Sequence, residues 1–177
     1  MSRTTLVLLP GLLNTRRLFD HQSAALADRV DIVVPELYLH ESLGAMAEAA
    51  LAAAPPRFAL GGFSMGGYVA FEILRRAPHR VERLALIDTQ AAPDTPETTA
   101  RRRGFIEQTR IGRFHGVQPS LLPTLIHQSR LKDMAVVQPD GPFQEKFFQP
   151  PVFDDGYAGF ARASVYQDFF HGPDSGY

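Results

Sequence analysis

The sequence predicts an α/β fold: a parallel sheet flanked by helices in three layers. Three observations point to it. Short apolar runs alternate with longer amphipathic stretches over the first two-thirds of the chain, the pattern of successive βαβ units. The apolar runs are continuous rather than alternating, as in parallel strands covered on both faces. Proline and glycine punctuate the boundaries, at Pro10-Gly11, Pro35, Pro55-Pro56 and Pro78.

Thr5 to Leu9 reads as a fully buried strand that Pro10-Gly11 ends. Leu18, Phe19, Gln22 and Leu26 then fit a helix, with Phe19, Gln22 and Leu26 near one face. Asp31 to Val34 is a second buried strand. Ser42 is placed as an N-cap, followed by Leu43, Met46, Ala47, Ala50, Leu51 and Ala54 at helical spacing. Arg57 to Phe63 is the third strand, and Gly66 to Ala77 a helix with Val69, Ile73 and Ala77 along one face. Leu84 to Ile87 is the fourth strand, with Asp88 at its carboxyl end. Pro93 to Pro96 reads as a loop, Arg101 to Phe114 as a basic helix, and Leu121 to Ile126 as a further short one.

Bulk properties narrow the function classes. The chain has 177 residues, enough for one domain with a proper core, and 45% of them are hydrophobic. A net charge of −1 gives no footprint for nucleic acid. With no cysteine there is no disulfide, no thiolate catalysis and no cysteine-bound metal. The Leu6–Leu9 run is too short for a signal segment or a membrane span. A cytoplasmic setting is expected, with no nucleic-acid or membrane partner.

The chemistry centres on Gly61-Gly62-Phe63-Ser64-Met65-Gly66-Gly67. A serine hydroxyl is a poor nucleophile until a base takes its proton and donors stabilise the oxyanion that forms. Placing the serine on a tight strand-to-helix turn exposes it, but brings strand and helix so close that side chains two residues away collide. Glycines at 62 and 66 remove those side chains. A G-x-S-x-G pattern arises by chance about one time in twenty in a chain this long. The buried strand before it and the amphipathic helix after it supply the context the motif requires. The alternative is a glycine-rich turn whose serine merely caps the helix. At the end of the first strand, Leu8-Leu9-Pro10-Gly11-Leu12 is the loop expected to approach that serine. Leu12 and Met65 are the candidate backbone donors of an oxyanion hole.

Residues 4 to about 130 resemble a bacterial α/β hydrolase of the small esterase and lactonase type. The likeness lies in Leu-Leu-Pro-Gly-Leu at 8–12 and Gly-Gly-Phe-Ser-Met-Gly-Gly-Tyr at 61–68. It continues in Arg75-Arg76-Ala77-Pro78-His79-Arg80-Val81 leading into Leu86-Ile87-Asp88-Thr89. The resemblance implies a hydrolase core over 1–92, a helical cap segment over 93–137, and an atypical tail over 138–177. It implies Ser64 as nucleophile, a small acyl compound as substrate, and no metal or organic cofactor. The family carries its acid and then its histidine after the serine, on late strands and loops.

Here the pattern departs. From Gln138 the helical periodicity dissolves, and the tail holds five of the 14 prolines and seven of the 13 phenylalanines. The fold is therefore expected to be incomplete, with only a partial cap, through either truncation or a change of reading frame. Asp88 is a candidate acid, weighed against a cap or loop-ordering role; Asp140, Asp154, Asp155 and Asp168 have no defensible placement. The catalytic histidine is unassigned. His21, His40, His79, His115, His127 and His171 each read better as solvated or core residues. If the fourth strand is the last, its open edge is expected to cause low stability, aggregation or dimerisation.

Two functional readings follow. One is a serine hydrolase of carboxylic esters, lactones or thioesters. The other is a catalytically inactive hydrolase fragment, or a binding protein, without a base for Ser64. Nucleotide binding fails, because the glycines match neither G-x-G-x-x-G nor a G-K-[ST] ending.

Overall fold

The computed structural model describes residues 3–12, 14–110 and 127–132. Among these residues four parallel strands form one sheet in the order β2-β1-β3-β4. They are β1 (Thr4–Leu9), β2 (Val30–Val33), β3 (Phe58–Phe63) and β4 (Val81–Ile87). A one-turn 3₁₀ helix, Arg16–Phe19, leads into α1 (Asp20–Leu26) between β1 and β2. The other crossovers are α2 (Leu43–Ala53) and α3 (Met65–Arg76), and α4 (Pro96–Arg110) follows β4.

This strand order fixes the layers. The step from β1 to β2 runs one way along the sheet, whereas β2 to β3 and β3 to β4 run the other. Right-handed crossovers then put α1 on one face and α2 with α3 on the opposite one. The core lies under α2 and α3. Met46, Ala47 and Ala50 of α2 meet Val69, Ala70 and Ile73 of α3 over Val7, Leu9, Phe58 and Leu60 of the sheet. Each large side chain buried there contributes about 1.5–3 kcal/mol. The expected faces of both helices are therefore the buried ones, and Ser42 caps α2 by accepting the Ala45 N–H at 3.1 Å.

Two long-range tethers tie α2 down. The Arg80 guanidinium donates to the carbonyls of Leu51, Ala54 and Pro55 at 3.1, 2.9 and 2.8 Å, and its carbon lies 5.5 Å from the Phe58 ring centre. These carbonyls end α2 and have no intrahelical partner of their own. Glu72 on α3 takes Arg75 at 2.8 Å and Arg76 at 2.5 Å, and Arg76 reaches across to Glu48 of α2 at 2.6 Å.

Several expectations need correction. Among the described residues β2 is an edge strand, mostly half-buried rather than fully buried. β4 starts at Val81 rather than Leu84 and is exposed along most of its length, with Leu84, Leu86 and Ile87 each more than 40% accessible. A continuous apolar run looks the same in a central strand as at an edge; only the sheet order separates them. The first helix divides into the 3₁₀ turn and α1. Phe19 is buried, but Gln22 faces solvent. α4 begins at Pro96 inside the expected loop, because the Thr95 hydroxyl accepts the Thr98 N–H at 3.2 Å and proline suits the first helical position. The expected helix over Leu121–Ile126 and the tail from 138 lie outside the described residues.

Candidate active site

The direction of crossing reverses between β1 and β3, which are neighbours in the sheet. At such a switch point the two outgoing loops part to opposite faces and leave a crevice at the carboxyl ends of the strands. Leu9 pairs with Gly62, so Pro10-Gly11-Leu12 and Phe63-Ser64-Met65 leave the sheet side by side. They are packed tightly. A Cβ placed on Gly11 would lie 3.1 Å from the Phe63 ring and 2.6 Å from the Asn14 side-chain oxygen. Asn14 is buried, and its N–H donates to the Gly11 carbonyl at 3.1 Å, closing the loop into a turn.

Ser64 joins β3 to α3 with φ 51° and ψ −115°. Outside glycine this backbone is uncommon and costs about 1–3 kcal/mol, which the surroundings must supply. The strain has a visible cause. Gly62 and Gly66 touch where strand and helix cross: a Cβ on Gly62 would sit 2.5 Å from the Gly66 carbonyl oxygen, and one on Gly66 would overlap the Leu9 carbonyl. A smoother turn would not let the helix begin this close to the sheet. Ser64 occupies the N-cap position of α3, yet its side chain makes no capping hydrogen bond. The capping-serine alternative therefore does not describe this residue.

Both sides of the turn are fastened to the end of β4. The Ser64 N–H donates to the Ile87 carbonyl at 3.0 Å. The Ser64 carbonyl accepts the Gly67 N–H and the Thr89 hydroxyl, each at 2.9 Å. Met65, buried in the first turn of α3, has its N–H among those without an intrahelical acceptor. Leu12 is half-buried and packs on the core. Asp88 ends β4, exposed, with φ 47°. Asn14 and Thr89 escaped the sequence reading. A polar residue five positions after a strand, or one after an acid, carries no signal until the loops are folded together.

The histidines are scattered. His21 and His79 are exposed and His40 half-buried. His127 is exposed and bonded through Nδ1 to Ser129 at 2.9 Å. None of these four hydrogen-bonds Ser64 or Asp88. His115, His171, Asp140, Asp154, Asp155 and Asp168 lie outside the described residues. Among the described residues no three His, Cys, Asp or Glu side chains gather into a metal site, and no helix is long and apolar enough to cross a membrane.

Comparison with known proteins agrees with this architecture. The family profile described as Thioesterase domain matches residues 4–143. The chain is similar to a thermophilic esterase from Thermogutta terrifontis, with TM-score 0.69 and 24% identity over 98% of this chain and 66% of that one. It is also similar to the enol-lactonase from Burkholderia xenovorans LB400, with TM-score 0.66 and 19% identity over 93% and 65% of the two chains. A hydrolase from Pseudomonas aeruginosa PA01 aligns with TM-score 0.61 and 22% identity over 93% and 66%. The chain thus spans just under two thirds of the length of these solved relatives, and at such identities the likeness speaks for the fold. No curated protein matches the chain. With a parallel sheet, a glycine-flanked serine turn at its switch point and a profile match over most of its length, the chain belongs to the thioesterase-domain family of α/β hydrolases.

Proposed function

We propose that this chain carries the nucleophile and oxyanion hole of a serine hydrolase acting on carboxylic ester, lactone or thioester bonds. The observation that carries the reading is Ser64 itself: a strained residue at a helix start whose hydroxyl is not spent on capping. Ser64 Oγ attacks the substrate carbonyl, and the Leu12 and Met65 amides receive the oxyanion, aided by the positive end of α3. A histidine takes the serine proton and returns it to the leaving group, while an acid orients that histidine. Asp88, at the carboxyl end of β4, is the candidate acid; the base is unassigned. The activities of two relatives, an esterase and an enol-lactonase, support the bond class. A small acyl compound as partner and a cytoplasmic setting belong to the same proposal.

A second reading is favoured by one observation: no described histidine hydrogen-bonds Ser64. Without a base the chain is a binding module or an inactive portion of a hydrolase, with at most residual catalysis. Incubation with a fluorophosphonate probe, read by intact mass, separates the two. The hydrolase reading expects one adduct on wild type and none on Ser64→Ala. Folded wild type that stays unlabelled establishes the second reading.

A further inference from the structure

We infer that Thr89 is a positioning residue that holds Ser64 in its reactive backbone conformation. The inference rests on the reading of Ser64 as nucleophile. The backbone conformation of a residue is set by the orientations of the peptide groups on either side of it. At Ser64 both are gripped by one three-residue segment: Ile87 accepts the N–H at 3.0 Å, and the Thr89 hydroxyl donates to the C=O at 2.9 Å. The positive φ of Asp88, 47°, turns the chain back so that Thr89 lies over the turn it fastens.

Thr89 is held in place by its own packing. Gly67 leaves room for it: a Cβ there would overlap the Thr89 hydroxyl and fall 2.5 Å from its methyl carbon and 2.6 Å from its Cβ. The methyl group wedges beside the Gly67 backbone and aims the hydroxyl at the Ser64 carbonyl. That carbonyl also accepts the Gly67 N–H, so the first turn of α3 and the end of β4 meet on one oxygen. A turn prone to relax towards ordinary backbone is thereby braced from the end of β4.

The test compares Thr89→Val, which keeps the shape and loses the hydroxyl, with Thr89→Ser, which keeps the hydroxyl. Amide hydrogen exchange is followed at Ser64 and Gly67, with Leu60 and Ile73 as core references. Thr89→Val is expected to exchange faster at Ser64 and Gly67 by about three- to tenfold, the factor one neutral hydrogen bond is worth. The core references should stay unchanged, and Thr89→Ser should return to the wild-type rates. Equal rates in Thr89→Val and wild type overturn the inference. So does failure of Thr89→Ser to rescue, or acceleration spread evenly over the core. Fluorophosphonate labelling runs in parallel: where wild type labels, Thr89→Val is expected to label slower by the same factor, and an unchanged rate also overturns it. A wild type that does not label removes the hydrolase reading alone, because the exchange comparison still decides whether Thr89 holds the elbow.

Discussion

Gly66 lies against the carbonyl of Leu9, so close that a methyl group on it would fall 2.6 Å from the Leu9 carbonyl carbon and 2.8 Å from the Pro10 oxygen. Neither contact is with a flexible side chain that can swing aside; both are with the backbone at the end of β1. The start of α3 is therefore seated directly on the strand whose loop carries Leu12.

Gly66→Ala should consequently be among the most damaging single-methyl changes in the chain. The backbone has to part, and a loss of about 3 kcal/mol or more is expected in urea unfolding. Gly104→Ala is the control. Its position in α4 has nothing within 4 Å, and alanine there should be neutral or stabilising by about 0.5–1 kcal/mol. Equal effects from the two substitutions would contradict the seating of α3 on β1.

Glu72 predicts a pH dependence. The hydrogen bond from Arg75, together with that from Arg76 and the charges of both, holds its carboxyl from an ordinary 4.5 down to about 2 against partial burial. A lowered folded-state pKa adds stability that is complete above the unfolded value and is lost as pH falls through the folded one. Wild type should therefore exceed Glu72→Gln above pH 4.5 and lose that advantage between pH 4.5 and 2. Because Arg75 is largely exposed, the gap at neutral pH should be only about 1 kcal/mol. Urea unfolding of both proteins across that range is the measurement, and a gap that widens on acidification would refute the assignment.

Arg80 closes the end of α2. Arg80→Ala removes the donors to the carbonyls of Leu51, Ala54, Pro55 and Pro56 and the contact with Phe58, and should cost about 2 kcal/mol in thermal or urea unfolding. Arg80→Lys should recover only part of this, since an ammonium lacks the planar fork that serves several acceptors at once. Full recovery by lysine would show that charge alone matters.

The margin of the sheet predicts behaviour in solution. Among the described residues β4 has a strand on one side only, and Leu84, Leu86 and Ile87 are exposed. Open strand edges with apolar flanks associate. Sedimentation velocity should show wild type associating as concentration rises. Leu84→Lys should shift it towards monomer at little cost in stability. A wild type that remains monomeric at high concentration would defeat this expectation.

What the sequence determined by itself was local. The glycines at 62 and 66, the apolar run before them and the helical stripe after them suffice to place a serine on a strand-to-helix turn, because each feature depends on neighbours a few residues away. Ser42 as the cap of α2 and the buried faces of α2 and α3 were legible for the same reason. Tertiary structure decided the rest. Among the described residues strand order made edges of β2 and β4, although their apolar runs read like those of a central strand. It also set the switch point beside which Leu12 and Ser64 emerge together. Thr89 reaches Ser64, and Arg80 reaches the end of α2, across 25 or more residues of sequence. No periodicity records such pairings, because they exist only once the sheet has brought separate loops to one end.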